Sequence, residues 1–229
     1  MSRALLLVAH GSPDARAQAS TEAIARNVRA ELSSVDVAVA YLEHAAPTVA
    51  DAYTALTIDN SAVTVVPLLF APGYHVTADL PAQLDGATAH VAAPLGAHPL
   101  VAAAVRDALI DAGASTDATV VLVSAGSREP AAIAEVDATA ALVGELGGWR
   151  VLTTTPAEVG AAIETARSAG AQSVAVGLLL LAPGVFADRI RDDALATGAD
   201  VVAEPIGEHP SIAVLVAMRY AATTSEAAA

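Results

Sequence analysis

The sequence predicts an α/β fold made of two similar domains, each with a parallel sheet of about four strands flanked by helices. Two observations lead to this prediction. Short apolar runs alternate along the chain with Ala-rich stretches of helical period, and segments of the first half recur in the second. The composition agrees, because 55% of the residues are hydrophobic and only 3% are aromatic, which suits helices packed closely on parallel strands.

The elements follow in order from this alternation. In the first half, apolar runs predict strands over 4–9, 35–42, 62–69 and 88–92, with helices over 14–32, 48–56, 76–84 and 99–112. In the second half, strands fit 119–124, 150–154, 173–179 and 200–203, and helices start near Glu129, Ala157, Phe186 and Pro210. A polar, Gly-bearing linker at 111–118 predicts domains over 1–113 and 118–222, followed by a tail over 223–229.

Three pairs of segments indicate that the second half duplicates the first. The segment VAHGSPD matches VSAGSRE, PLLFAPGYHVTADL matches GLLLLAPGVFADRI, and PLGAHP matches PIGEHP. In the last two pairs, equivalent residues lie 111 positions apart. A shared offset over separate segments is typical of a tandem duplication.

Missing residue types exclude several classes of chemistry. The chain has no cysteine, which excludes disulfides and thiolate metal sites, and all 11 of its basic residues are arginine. Without lysine there is no P-loop, and neither G-x-G-x-x-G nor G-x-S-x-G occurs. A net charge of −14 argues against nucleic acid as a partner and leaves small molecules and metal cations. The absence of a long apolar run or signal peptide predicts a cytoplasmic protein that does not enter a membrane.

Two histidines and a glutamate follow three predicted strands of the first half. His10 ends the first strand, Glu43 ends the second, and His75 follows the turn after the third. Because ligands of open parallel sheets bind outside the carboxyl ends of the strands, we expect these side chains to share one rim. Such a set can bind a borderline metal or move a proton.

The duplicated half serves as an internal control. Ala125 replaces His10, Phe186 replaces His75, and residues 153–155 offer no carboxylate. The flanking Gly-Ser and Ala-Pro-Gly turns persist in both halves. The turns therefore belong to the scaffold, and the two histidines are functional additions to one copy.

Other polar residues near these turns have structural interpretations. His98 and His209 occupy equivalent positions in the two halves, which favours a capping role at a helix start. Ser12 is expected to be an N-cap. Strand alternation predicts that His44 points away from Glu43.

Taken together, LLLVAHGSPD, AYLEHAAPTV and PLLFAPGYHVTADLP resemble the sirohydrochlorin chelatases of the class II chelatase superfamily. The resemblance spans essentially the whole chain, including its duplication, as in the long-form members of that family. It implies a chelatase-like pair of Rossmann-like domains that face each other across a cleft and hold a tetrapyrrole. It also implies a lyase that inserts Fe²⁺, or next Co²⁺, into sirohydrochlorin without ATP, in sirohaem or cobalamin biosynthesis. Tyr74 departs from the residue common at its position.

Carried onto this chain, the family's metal-binding and catalytic residues are His10, His75 and Glu43. Two imidazoles and a carboxylate bind Fe²⁺, Co²⁺ or Ni²⁺ less tightly than thiolates do, so the ion can be released into the ring. Insertion also expels two pyrrole protons, and Glu43 either orients the ion or accepts a proton. No organic cofactor is implied, and the divalent metal is a substrate.

The resemblance also implies that this acidic chain binds a substrate that carries eight carboxylates. Arg128, Arg189 and Arg191 follow the two conserved turns of the second half and are expected to bind those carboxylates. Short-form relatives dimerise, whereas this chain already contains both halves, so the duplication predicts a monomer.

Two other function classes remain open from the sequence. A histidine phosphatase or mutase has a similar strand-end histidine, but Ala9 stands where such enzymes place an arginine. A non-catalytic carrier of metal or tetrapyrrole would keep the same residues without turnover.

Overall fold

The computed structural model describes residues 3–60 and 62–226. They form two compact units. The first comprises Met1–Gly96 with Glu208–Ala229, and the second comprises Ala97–Gly207.

A four-stranded parallel sheet forms the centre of the first unit. Its strands are β1 (Arg3–Ala9), β2 (Asp36–Tyr41), β3 (Ala62–Pro67) and β4 (His90–Val91), in the spatial order β2-β1-β3-β4. The helices of this unit are α1 (Ala15–Glu31), α2 (Val49–Asp59), a π-helical turn (His75–Asp79) that runs into α3 (Leu80–Gln83), and α8 (Pro210–Glu226). Leu5, Leu6 and Leu7 of β1 are completely buried, as expected for a central strand covered on both faces.

The second unit repeats the same sheet. Its strands are β5 (Thr119–Ser124), β6 (Arg150–Thr154), β7 (Val174–Leu179) and β8 (Val201–Val202), in the order β6-β5-β7-β8 and all parallel. The helices are α4 (Pro99–Asp111), α5 (Pro130–Gly147), a 3₁₀ turn (Pro156–Glu158) leading into α6 (Val159–Ser168), and α7 (Val185–Ala196). The predicted α/β class, with two similar four-stranded parallel sheets, is confirmed.

The predicted domain boundaries at 113 and 118 differ from the observed division. Helix α4 belongs to the second unit, where it packs against α5 and β7. A Cβ added to Gly177 of β7 would lie 3.5 Å from Val105 and 3.6 Å from Leu109, so α4 lies directly on this strand. An apolar helix face predicts burial but does not specify the sheet that covers it.

Helix α8 belongs to the first unit, where it packs against α1 and β3. Arg219 of α8 donates from Nε to the carbonyl oxygen of Pro94 at 3.0 Å and from Nη2 to that of Leu95 at 2.8 Å. The predicted tail over 223–229 is shorter than expected, because α8 continues through Glu226, and the rest of the predicted tail lies outside the described residues. Across the described part of the chain, no helix is both long and apolar enough to cross a membrane.

Candidate metal centre

The structure brings the two histidines and the glutamate of the first half together. His10 follows β1, Glu43 lies two residues beyond β2, and His75 opens the π-helical turn after β3. One ligand atom from each of the three side chains can be chosen so that all lie within 4.8 Å of one another. The His10 and His75 rings meet edge to face, with their centroids 4.6 Å apart. We call these residues the HEH cluster; their role as metal ligands and catalytic residues stays a prediction.

Gly11 determines how closely the segments that carry His10 and Glu43 approach. The Glu43 N–H donates to the carbonyl oxygen of His10 at 2.9 Å, and Gly11 has φ of +94°. A Cβ on Gly11 would lie 1.8 Å from the Glu43 carbonyl oxygen, so no other residue fits without moving that segment. The equivalent Gly126 has φ of +87°, but its added Cβ would meet only the Thr155 side chain, whose methyl lies 3.3 Å away. The close approach is therefore particular to the half that carries the HEH cluster.

Hydrogen bonds select the tautomer of both histidines. The Nδ1 atom of His10 lies 3.0 Å from the Gly11 carbonyl oxygen, and Nδ1 of His75 lies 3.1 Å from Oδ2 of Asp79. A carbonyl and a carboxylate only accept, so each neutral ring carries its proton on Nδ1. Both Nε2 lone pairs are then available to a metal ion.

Asp79 is a site residue that the sequence analysis missed. Its Oδ1 accepts from Nε2 of Gln83 at 3.0 Å, while Oδ2 faces His75. Burial by itself raises the pKa of Asp79, but the hydrogen bonds from Gln83 and His75 outweigh it and hold that pKa below its ordinary value. The available signal was the i,i+4 spacing of His75 and Asp79, which places two side chains on one face of a helical segment.

The helix that carries His75 begins differently from the prediction over 76–84. It starts at His75 with a π-helical turn, in which the Leu80 N–H donates to the His75 carbonyl oxygen five residues back. The buried positions Leu80 and Leu84 match the buried Ile190 and Ala194 of α7 at a spacing of 110 rather than 111 residues. The wider turn therefore accommodates one extra residue between His75 and the buried face of the helix.

The prediction that His44 points away from Glu43 is wrong. Nε2 of His44 lies 3.1 Å from Oε2 of Glu43. Strand alternation does not apply, because β2 ends at Tyr41 and His44 has φ of +60°. The Glu43 side chain is 44% exposed, so it is accessible to a substrate as well as to His44.

The capping roles predicted for the paired histidines are confirmed. Nδ1 of His98 accepts from the Leu100 N–H at 3.1 Å at the start of α4. Nδ1 of His209 accepts from the Ser211 N–H at 3.3 Å at the start of α8. Neither belongs to the HEH cluster.

Ser12 is not the N-cap of α1, contrary to the prediction. The cap is Asp14, whose side chain accepts from the Arg16 N–H. Ser12 lies one step earlier, and its Oγ accepts from the Asp14 N–H at 3.1 Å. Ser127 makes the same contact with the Glu129 N–H at 3.1 Å, so the repeated serine closes a turn before each helix.

The three arginines predicted to bind substrate carboxylates lie in the second unit. Arg128 is exposed in the loop after β5, and Arg189 is exposed on α7. Nη2 of Arg191 lies 2.6 Å from Oε1 of Glu204, so Arg191 already has an anionic partner within its unit. Their role toward a substrate stays a prediction.

The fold and the site together define a class: a duplicated α/β protein with the donor set of a borderline divalent metal in its first half. The CbiX family model matches residues 4–112 and again residues 119–223, so the chain belongs to the CbiX family. No curated protein sequence gives a significant match. The resemblance found in the sequence is confirmed at the level of the family and of its long, duplicated form.

Several solved structures share this fold over nearly the full length of both chains. SirB from Bacillus subtilis with Fe³⁺ has a TM-score of 0.80, 23% identity, and coverage of 99% of this chain and 97% of that chain. SirB from Bacillus subtilis subspecies spizizenii in complex with cobalt has a TM-score of 0.83, with the same identity and coverage. CbiX, described as the terminal enzyme of sirohaem biosynthesis in denitrifying bacteria, has a TM-score of 0.67 at 21% identity and covers 96% and 98% of the two chains. At these identities the likeness concerns the fold.

Proposed function

We propose that this protein is a sirohydrochlorin chelatase that inserts a divalent metal, Fe²⁺ first and Co²⁺ next, into the tetrapyrrole without ATP. The observation that carries the proposal is the HEH cluster, whose three side chains come together in only one half of a duplicated chain. Membership of the CbiX family supports it, as do the iron and cobalt named with the two SirB structures.

The geometry suits the presentation of an ion to a ring. The two imidazoles offer neutral Nε2 atoms from one side, while the rest of the coordination sphere remains for the incoming pyrrole nitrogens. Neutral imidazoles and one carboxylate bind a divalent ion less tightly than thiolates, which allows transfer to the macrocycle. Tyr74 is 67% exposed beside His75 and offers an aromatic face to a flat apolar ring.

The proton balance of the reaction requires an acceptor. Each insertion replaces two pyrrole N–H protons by one divalent ion, so two protons leave the macrocycle. The exposed Glu43 carboxylate lies beside the two histidines and can accept the two protons in turn, passing each to solvent before it takes the next. Histidine and carboxylate donors bind both iron and cobalt, so the order between these metals rests on the sequence resemblance.

The test is an anaerobic insertion assay that follows the absorption bands of sirohydrochlorin with Fe²⁺ and with Co²⁺. We expect His10→Ala and His75→Ala each to lower the protein-dependent rate by about 100-fold or more, since loss of even an outer partner of a ligand costs roughly 10- to 100-fold. The control His90→Ala, an exposed histidine on β4, should keep the wild-type rate.

Each alternative gives a different result in this assay. A carrier would shift the bands in proportion to the protein added, without turnover. Near wild-type rates in both histidine variants would show that the HEH cluster is not the site of insertion.

A further inference from the structure

A chain of hydrogen bonds links the two segments that supply His75 and Glu43. Oδ2 of Asp79 lies 3.1 Å from Nδ1 of His75, and Oδ1 of Asp79 accepts from Nε2 of Gln83 at 3.0 Å. The same Nε2 of Gln83 donates to the carbonyl oxygen of Leu42 at 3.1 Å. Leu42 is the residue before Glu43, so the amide of Gln83 connects the π-helical turn to the end of β2.

We propose that Asp79, braced by Gln83, is a positioning residue that holds His75 in the Nδ1–H tautomer with Nε2 directed into the HEH cluster. The purpose of this positioning, which is to present His75 to a metal ion, rests on the proposed function. The hydrogen bonds themselves stand independently of that function.

The chemistry of the three groups fixes the direction of each hydrogen bond. A carboxylate has no proton to give, so Asp79 accepts from His75 and from Gln83 alike. Gln83 has two amide protons and donates one to Asp79 and the other to the carbonyl oxygen of Leu42. The hydrogen bond from Gln83 fixes the orientation of the Asp79 carboxylate toward the His75 ring. An imidazole whose Nδ1–H is held by a carboxylate presents a more basic Nε2 in a fixed direction to a metal ion.

Asp79 reaches His75 because the two residues lie four positions apart on one face of the helical segment. The extra residue widens the turn, and the buried face resumes at Leu80, immediately after Asp79. Asp79 itself stays half-buried at the rim of the sheet, facing His75.

The duplicated half again provides a comparison. At the 111-residue offset the counterpart of Asp79 is Ile190, and with the turn discounted it is Arg189. Neither side chain can accept a hydrogen bond from an imidazole. The half without a counterpart of His75 therefore also lacks an acceptor at this position.

The first experiment measures the tautomer directly, without metal or substrate. In the ¹⁵N-histidine-labelled full chain at pH 8, the His75 signals are assigned by their loss in His75→Ala. We expect the wild type to show the Nδ1–H tautomer and Asp79→Ala to shift His75 toward Nε2–H. An unchanged tautomer in Asp79→Ala would overturn the proposal.

The second experiment measures Co²⁺ affinity from the visible absorption of the bound ion. We expect Asp79→Ala to weaken binding by about 10- to 100-fold. Asp79→Asn should fall between Asp79→Ala and the wild type, because its amide oxygen can still accept from Nδ1–H. The matched control is Asp85→Ala, which removes the same charge from an exposed position just after α3.

The outcomes separate this inference from the proposed function. If Asp79→Ala binds Co²⁺ within twofold of Asp85→Ala, the positioning role is wrong. If instead the wild type fails to insert metal into sirohydrochlorin, the proposed function fails, while the tautomer and Co²⁺ measurements still decide the role of Asp79. Melting curves of all variants, expected to match the wild type, exclude unfolding as the cause.

Discussion

At the scale of single residues, the HEH cluster depends on a backbone contact as much as on its side chains. Gly11 allows the Glu43 carbonyl to lie where a β-carbon would otherwise stand. The Gly-Ser turn forms part of the scaffold in both halves, and in the first half it has a second role. It brings the end of β2 against the end of β1, and Glu43 beside His10.

Alanine substitution of the two equivalent glycines tests this double role. Both Gly11→Ala and Gly126→Ala place a side chain at positive φ, which costs about 1 to 3 kcal/mol of stability. Only Gly11→Ala also displaces the Glu43 segment, so we expect it alone to weaken Co²⁺ binding, by about tenfold or more. Urea unfolding and Co²⁺ titration of the two variants measure the two effects. Equal Co²⁺ affinities would show that the close approach does not position Glu43.

Sequence patterns point to the three residues of the HEH cluster more readily than to the residues that contact them. His10, Glu43 and His75 could be chosen because they end strands whose carboxyl ends share a rim, and because the duplicate lacks them. Asp79 and Gln83 could not be chosen in the same way. The i,i+4 spacing places Asp79 on the same face as His75, but it does not show which ring nitrogen the carboxylate contacts or that Gln83 contacts both Asp79 and Leu42.

At the scale of elements, the eight strands found within residues 3–60 and 62–226 could all be predicted, because apolar runs of strand length recur between helical periods. The π-helical turn could not, since an i→i+5 bond leaves no distinct apolar pattern in so short a segment. Helices α4 and α8 were predicted at these positions of the sequence, but the compact units exchange them, with α4 in the second unit and α8 in the first. An amphipathic face indicates that a helix packs against another element, but only the tertiary structure shows which sheet or helix that element is.

The carboxylate of Asp200 connects two elements of the second unit. Oδ2 of Asp200 accepts from the Val174 N–H at 2.7 Å and pairs with Nη2 of Arg167 at 2.8 Å. It thereby ties the start of β7 to the end of α6. The backbone hydrogen bond from Val174, aided by Arg167 against the opposing effect of burial, lowers the pKa of Asp200 below its usual value.

This lowered pKa predicts a pH-dependent loss of stability. The pKa of Asp200 in the folded protein lies below its value of about 3.9 in the unfolded chain. Between these two pH values the unfolded state binds more protons, so the stability that the Asp200 carboxylate contributes is complete only above the unfolded pKa. We expect Asp200→Asn to be less stable than the wild type at pH 7, and the difference to shrink as pH falls below about 5 and to vanish below the folded pKa. Urea unfolding at pH 7, 5, 4 and 3 measures it, with Asp192→Asn on α7 as a control for net charge. A difference that stays constant down to pH 3 would contradict the assignment.

At the scale of the whole molecule, the two sheets have the same topology but carry different residues beyond the carboxyl ends of their strands. The first retains two histidines, a glutamate and the carboxylate that holds His75. The second has Ala125 and Phe186 at the equivalent positions and arginines nearby. Since the chain carries a net charge of −14, a polyanionic substrate needs local positive charge. We expect Arg128, in the loop after β5, and Arg189, on α7, to supply it.

Arginine substitutions in the second unit test this division of labour. Arg128 and Arg189 follow the carboxyl ends of β5 and β7, and we expect Arg128→Ala and Arg189→Ala each to raise the KM for sirohydrochlorin by up to about fivefold, as for an exposed charge pair of up to about 1 kcal/mol. Arg191→Ala should have a smaller effect because Arg191 already pairs with Glu204.

The matched control for these variants is Arg150→Ala, an exposed arginine at the amino end of β6, which should leave KM unchanged. Co²⁺ affinity should be unchanged in all four variants, because the HEH cluster lies in the other unit. Light scattering after size exclusion should show the monomer that the duplication predicts, so that no change in KM comes from altered assembly. An unchanged KM in both Arg128→Ala and Arg189→Ala would assign substrate binding to other residues, whereas a parallel loss of Co²⁺ affinity would mean that the two halves do not divide the work.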